Sequence, residues 1–229
     1  MSEENTVYAT QSEQYEAMIS RQPNLAHVIN EIRPFNNLDV LDLGAGSGRL
    51  STVLAPAAKS LICSDISSSM LDILEHKLTN ENQTTNWKTV VCDHRKLPIP
   101  DSSIDLVVSG WSICYLANTY ESDWKENLDL IMAELERVLK PNGSIIIFET
   151  MGTGYDTPNP PEFLTSYFSL LEEKYGFQSR WIRVDYTFDS VEAAVEHTEF
   201  FFGEEVVEKI RQHQWATVPE CAGIWWKQI

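Results

Sequence analysis

The chain has 229 residues, 43% of them hydrophobic and 22% charged, which suits a single domain with a full core and excludes intrinsic disorder. Acidic residues outnumber basic ones 34 to 17, and a formal net charge of −17 repels phosphate backbones and anionic lipid, which argues against a nucleic-acid or membrane partner. The opening MSEENTVYAT has no leader character, no apolar run reaches bilayer length, and Cys63, Cys92, Cys114 and Cys221 form no Cys-x-x-Cys pair, so free thiols, no metal and a cytoplasmic location are expected.

Taken in order, residues 10–33 carry two short apolar helical stripes, Tyr15 to Ile19 and Leu25 to Ile32, broken at Pro23. LDVLDL (38–43) predicts a strand and Arg49 to Ala58 a helix. SLICSD (60–65) predicts a second strand, and Ser67 is placed to cap a helix bearing Met70, Leu71, Leu74 and Leu78. WKTVVCD (87–93) and IDLVVSG (104–110) read as strands three and four. Leu128, Ile131, Leu135, Val138 and Leu139 share one helical face that ends in KPNG, with Gly143 available for a left-handed turn, and SIIIFET (144–150) reads as strand five. Near-continuous apolar strands separated by helices indicate a parallel sheet covered on both faces. Beyond residue 150 come a Gly/Pro-rich loop (151–161), a helix through FLTSYFSLLEEKYG, an alternating strand (180–188), one or two helices through SVEAAVEHTEFFFGEEVVEKIRQ, and a last strand (221–228). The two late strands are expected to pair antiparallel at the sheet edge. The whole reads as one doubly wound α/β domain with a helical elaboration.

The most informative stretch is LDLGAGSGRL, where Gly44, Gly46 and Gly48 follow a strand and bare the main chain three times in five residues. Neither register matches G-x-G-x-x-G, and no Gly-Lys-Ser/Thr is present, so the turn does not fit a pyrophosphate. Acidic residues stand at three successive strand ends. Asp42 is placed to attract an ammonium, Asp65 to accept ribose hydroxyls, and Asp93 to accept an adenine amino group. Together they suit a ligand that bears a sugar and a positive charge, held at the carboxyl ends of the strands.

VLDLGAGSGRLS resembles motif I of the class I S-adenosylmethionine-dependent methyltransferases, an acidic residue followed by x-G-x-G-x-G. CSDISSSML is similar to that family's ribose-gripping segment, CDHRKLPIPDSSIDLVVSGWSICYL to its third-to-fourth strand region, and LERVLKPNGSIIIFE to its post-I helix and fifth strand. The likeness covers residues 10–150 in order and is of the small-molecule, ubiquinone/menaquinone type. It implies a Rossmann-like, mostly parallel seven-stranded sheet with an antiparallel edge strand. One domain over 1–229 would comprise a helical cap (1–36), a cofactor-binding core (37–150), and a lid loop, helices and last strands (151–229). It further implies S-adenosylmethionine as cofactor, S-adenosylhomocysteine as product and a small-molecule acceptor. Carried onto this sequence, Gly44, Ala45, Gly46 and Gly48 would surround the methionyl part beside Asp42. Asp65 would hold the ribose, Ile66 and Met70 the adenine face, and Asp93 with the His94 backbone the adenine edge. Ser109, Gly110 and Trp111 would floor the methyl-donor end, and Tyr15 would cover the cofactor.

NPPE (159–162) is similar to the Asn-Pro-Pro-aromatic motif of amino-group methyltransferases, but it lies after strand five and lacks the aromatic residue, so it reads as a proline-stiffened loop. FFF (200–202) reads as packing. In-line methyl transfer needs position more than acid–base help, so no catalytic residue is named. His94, Tyr115, Glu149, Tyr155 and His197 are polar residues within reach of a pocket. The acceptor is expected among the first helix, Trp111–Tyr120 and the loop 151–163, all rich in aromatic residues. A non-catalytic cofactor-binding sensor or subunit, an NAD-type oxidoreductase and other sulfonium chemistry are the competing readings, and nothing in the sequence specifies an oligomeric state.

Overall fold

A computed structural model describes residues 12–82 and 85–229. In chain order its elements are α1 (Ser12–Ile19), α2 (Ala26–Ile32), β1 (Asp39–Leu43), α3 (Ser51–Leu54), β2 (Ser60–Asp65), α4 (Ser68–Lys77), β3 (Trp87–Val91), β4 (Ile104–Gly110), α5 (Trp124–Val138), β5 (Leu139–Thr153), α6 (Glu162–Glu173), β6 (Gln178–Arg183), β7 (Tyr186–Thr187), α7 (Val191–His213), β8 (Thr217–Val218) and β9 (Glu220–Gln228). Residues 1–11, the start of the expected helical cap, lie outside the described residues.

Seven strands form one sheet in the order β3-β2-β1-β4-β5-β9-β6, and β7 and β8 make a separate antiparallel ribbon. β1 pairs in parallel with β2 on one side (Leu41 opposite Ile62) and with β4 on the other (Leu41 opposite Val107). β2–β3 and β4–β5 are parallel as well. The two late strands lie together at one margin, with β6 outermost. The strand order reverses beside β1, whose neighbours lead to β3 on one side and β5 on the other, and an open α/β sheet offers its crevice at the carboxyl ends there.

Helices follow from local chemistry. The Ser67 hydroxyl accepts from the Met70 N–H at 3.4 Å and starts α4, which buries Met70, Leu71 and Leu74. α5 buries Leu128, Ile131, Met132, Leu135 and Val138, the stripe expected from the sequence, while Leu139 already begins β5. The helix expected over 49–58 shrinks to the four residues of α3, because Pro56 lacks the N–H needed to continue it. The left-handed residue between α5 and the apolar part of β5 is Asn142 (φ +67°), not Gly143. Gly143 is needed for space instead, since a Cβ there would stand 2.7 Å from a Leu139 methyl and 2.9 Å from the Lys140 carbonyl. The expected strand 180–188 divides into β6 and β7, and the last helical stretch, α7, is two helical parts joined across a non-helical kink at Gly203 (φ +72°).

The chain resolves into two compact units. One comprises the described part of Met1–Asn24 with Thr150–Pro161 and Trp181–Gly223. Its core joins Met18 and Ile19 of α1 to Tyr186, Phe188, Ala194, Val206, Ile210 and Val218, edged by Tyr15, Phe200, Phe201 and Phe202. The buried Glu220 carboxylate accepts from the hydroxyls of Thr150 and Thr153 there. The other unit comprises Leu25–Glu149, Glu162–Arg180 and Ile224–Ile229 and contains β1 to β4. Among the described residues no helix is long and apolar enough to cross a membrane.

Leu135 is fully buried on the face α5 turns inward, so Leu135→Ala should cost about 2–5 kcal/mol, read as a lowered urea midpoint with an unchanged denaturant slope. A loss below about 1 kcal/mol would contradict the packing described for α5.

Candidate functional site

β1 delivers the chain into a turn in which Gly44, Gly46 and Gly48 all have left-handed φ (+74°, +52° and +98°). The Gly44 and Ala45 N–H groups donate to the Ser64 carbonyl at 2.8 and 2.9 Å, which fastens the turn to the end of β2. The three missing side chains leave three different surroundings. A Cβ on Gly44 would lie 1.8 Å from Ser112 Oγ and 2.3 Å from Ser112 Cβ, and one on Gly48 would lie 2.4 Å from a Leu74 methyl. At Gly46 the nearest atom is the Met70 methyl at 3.7 Å, an ordinary contact. The expectation that all three glycines are bared for a ligand is therefore narrowed. Gly44 and Gly48 admit the protein's own side chains, and Gly46 alone leaves room for something else. Ala45 is buried within the turn.

The three strand-end carboxylates differ as sharply. Asp42 is 1% exposed, accepts from the Ser51 hydroxyl at 2.5 Å and keeps Oδ1 buried without a partner. Burial pushes its carboxyl up to about 7, and the neighbouring Asp65 charge adds to the rise. A group so deep shapes the turn from behind and does not reach an ammonium outside. Cys63 shares that pocket, 3.2 Å from Ser51 Oγ, and burial drives its thiol far above the usual range. Asp93 is gripped by Arg95, whose Nε and Nη2 approach at 2.9 and 2.6 Å and hold the carboxyl below its ordinary value. This pairing competes with the expected adenine contact. Asp65 remains half-buried at the mouth, where Oδ2 accepts from the Gly46 N–H and Oδ1 from the Ser67 N–H, both at 2.8 Å. The two oxygens offer about four acceptor sites, so two stay open. With Asp42 buried and its carboxyl pushed up, and Asp93 paired with Arg95, Asp65 is the one of the three that faces the rim with acceptor capacity left.

Beside Asp65, Ile66 exposes 65% of its surface, while Met70 is buried beneath the turn. Ser109 is fully buried and donates to the Leu43 carbonyl at 3.0 Å, so it joins β4 to β1 rather than lining an opening. A Cβ on Gly110 would stand 2.9 Å from a Leu50 methyl. Trp111 has φ +51°, a left-handed conformation that a bulky residue keeps only under surrounding constraint. Its N–H donates to the Phe148 carbonyl at 2.7 Å, its ring stacks on Phe148 with centroids 6.1 Å apart, and the Arg49 guanidinium sits 3.7 Å over it.

Several residues of this rim were missed or left undistinguished by the sequence reading. His94, expected to act through its backbone, instead turns a buried imidazole to Ser112, with Nε2 2.6 Å from Oγ, and burial lowers its pKa. Glu149, at the rim end of β5, is fully buried. Its Oε1 accepts from the Cys114 N–H at 3.1 Å and the Tyr167 hydroxyl at 3.2 Å, its Oε2 is buried without a partner, and burial pushes the carboxyl up to about 7. Arg95 extends from Asp93 to Asn127 Oδ1 (2.9 Å), and the Asn127 amide donates to the Leu116 carbonyl (3.2 Å), so the turn after β4 is tied to the loop after β3 through these two and to β5 through Glu149. These contacts join residues far apart in sequence, and no local pattern announces them. Tyr115 lies in the short turn Ile113–Tyr115. Tyr15, Tyr155 and His197 belong to the other unit, where their neighbours are Phe201 (5.3 Å), the Lys209 ammonium (3.8 Å) and Phe188 (5.7 Å). Among the described residues no group of three or more His, Cys, Asp or Glu side chains is placed to hold a metal ion.

Residues 41–147 match the family profile described as "Methyltransferase domain". Within those residues, a little under half of its length, the chain is similar to methyltransferases. It is 29% identical over 174 residues to a sterol 4-C-methyltransferase of Caenorhabditis elegans, across 76% of this chain and 47% of that protein. It is also 29% identical over 186 residues to a malonyl-[acyl-carrier protein] O-methyltransferase of a Marinomonas species, across 80% of this chain and 62% of that one. The chain thus spans less than two thirds of the length of these relatives. A solved S-adenosylmethionine-dependent methyltransferase of Aquifex aeolicus has the same fold, with a TM-score of 0.57 at 18% identity over 88% of this chain and 90% of that one. The rim fits S-adenosylmethionine on its own chemistry. Gly46 is open, Asp65 keeps acceptor capacity for vicinal hydroxyls, and Ile66 presents an apolar face beside it.

Two outcomes follow for stability. Alanine at Gly44, Gly46 or Gly48 strains a left-handed residue by about 1 kcal/mol, and only Gly44→Ala and Gly48→Ala should add a steric loss of about 1–3 kcal/mol, read by urea unfolding. Glu149 binds its proton more tightly folded than unfolded, so stability present below pH about 4.5 is lost as pH rises to about 7, on the order of 3 kcal/mol. Glu149→Gln removes that dependence and should gain on the parent by this order between pH about 5 and 8; parallel pH profiles would refute the assignment.

Proposed function

We propose that this chain transfers a methyl group from S-adenosylmethionine to a small-molecule acceptor. The observation that carries the reading is the conjunction of an open Gly46, an incompletely used Asp65 carboxylate and an exposed Ile66 at the carboxyl ends of β1 and β2. Asp65 would accept from the ribose hydroxyls while its bonds to Gly46 and Ser67 keep it aimed, and Ile66 and Met70 would take the adenine. The Gly44–Gly48 turn would hold the methionyl end, and Gly110 and Trp111 would bound the donor end.

The cofactor supplies a methyl group activated by its sulfonium. What the chain adds is position, since aligned groups reach effective molarities of about 10⁵–10⁸ M without any covalent help from the protein. The Trp111–Phe148 stack keeps one wall of the rim apolar and fixed, which suits an acceptor with apolar or aromatic character. One relative is named for methylating a sterol at carbon and another for O-methylation of a malonyl carrier, so this framework is compatible with carbon and oxygen nucleophiles alike. The charge of −17 supports a small molecule over a nucleic acid, and four free cysteines support a reducing, cytoplasmic setting.

Calorimetric titration with S-adenosylhomocysteine and with NAD tests the cofactor, followed by labelled-methyl transfer to a panel of small acceptors. S-adenosylhomocysteine should bind and NAD should not, and Asp65→Ala should weaken the nucleoside by about 10- to 100-fold, the loss expected for charge-assisted bonds to two hydroxyls. NAD binding in preference, or an unaltered affinity in a folded Asp65→Ala protein, would sink the reading. Binding without transfer to any acceptor would favour a sensor.

A further inference from the structure

Ser112 lies just past β4 and was not singled out by its sequence. Its hydroxyl fills the place that a Gly44 side chain would occupy, so the glycine turn and Ser112 are fitted to each other. Its oxygen is 2.6 Å from His94 Nε2, and both residues are only 8% exposed. The other ring nitrogen, His94 Nδ1, is buried and has no hydrogen-bond partner.

Hydrogen-bond balance fixes the direction of this contact. Burial keeps the imidazole neutral at pH 7, so one ring nitrogen carries a proton and the other a lone pair. Asp65 and Asp93 act to raise its affinity for a second proton and Arg95 to lower it, but burial dominates all three. A buried N–H without an acceptor is costlier and rarer than an acceptor left under-satisfied. The proton therefore belongs on Nε2, which donates to Ser112 Oγ, and Nδ1 is the bare lone pair. It follows that the Ser112 proton is not given to His94. The hydroxyl sits against Gly44 with a donor to spend, in the turn to which the cofactor assignment gives the methionyl end.

We propose that Ser112 donates a hydrogen bond to the carboxylate of the bound cofactor's amino-acid end, with His94 as the positioning residue that fixes the direction of the hydroxyl. The proposal rests on the cofactor assignment above and deepens it. It separates two parts of the ligand: Asp65 reads the sugar, and Ser112 reads the carboxylate.

Three nucleosides distinguish the outcomes by calorimetry: S-adenosylhomocysteine, 5′-(3-aminopropylthio)-5′-deoxyadenosine, which keeps the amine and lacks the carboxylate, and 5′-methylthioadenosine, which lacks both. Ser112→Ala keeps the Cβ against Gly44 and removes only the hydroxyl. It should weaken S-adenosylhomocysteine about tenfold, the value of one charge-assisted hydrogen bond, and leave the other two unchanged. An equal loss for all three, or no loss for S-adenosylhomocysteine, overturns the proposal. If the parent protein binds none of the three, the cofactor assignment itself fails. Nitrogen NMR of the His94 ring gives an independent readout, with the Nε2–H tautomer expected at pH 7 to 8. The Nδ1–H tautomer or a charged ring would overturn the direction assigned to the hydroxyl.

Discussion

Three left-handed residues within five, at the end of β1, form the steric constraint from which the rest of the site follows. Side chains are disfavoured at those three positions by backbone conformation, so neighbouring elements are free to fill the space. Ser112 enters from the loop after β4 and Leu74 from α4. The turn is thereby clamped on two sides and open on one. A glycine motif that looks uniform in sequence performs two packing tasks and one exposing task.

Charge at the rim is sorted by the same local packing. Strand ends deliver three aspartates to one edge of the sheet, but a buried pocket takes one, an arginine takes another, and only Asp65 faces outward with capacity left. Asp65 also holds the Gly46 N–H, so the open member of the turn and the carboxylate beside it form a single mechanical unit. Around them the turn after β4 is secured from β3 through Arg95 and Asn127 and from β5 through Glu149, which leaves its position set by the sheet and not by the loop itself. Trp111 keeps its unusual backbone angle inside that harness.

Much of this was legible in the sequence because it depends on neighbours along the chain. Apolar runs marked β1, β2, β4 and the buried face of α5, Ser67 marked the start of α4, and the glycine spacing marked the turn. What escaped were properties set by distant partners. Asp42 and Asp65 look alike in sequence, yet one meets Ser51 in the interior and the other meets two backbone amides at the rim. Asp93 looked available because its partner two residues on, Arg95, can equally point to solvent. Ser109 and Ser112 are three residues apart and part ways, one inside the sheet and one against Gly44. The shortening of α3 at Pro56 was readable, and the left-handed role of Asn142 in place of Gly143 was not, since asparagine and glycine both tolerate that angle.

Glu149 and Asp42 give this acidic molecule a hidden asymmetry. A strongly negative surface keeps copies of the chain apart most effectively in alkaline solution, where every outer carboxylate is ionised. The two inner acids have the opposite preference, because alkali asks each to carry a charge in a place that water does not reach. Colloidal solubility and internal cohesion therefore pull toward different ends of the pH scale, and the mildly acidic side of neutrality is where the interior is most at ease.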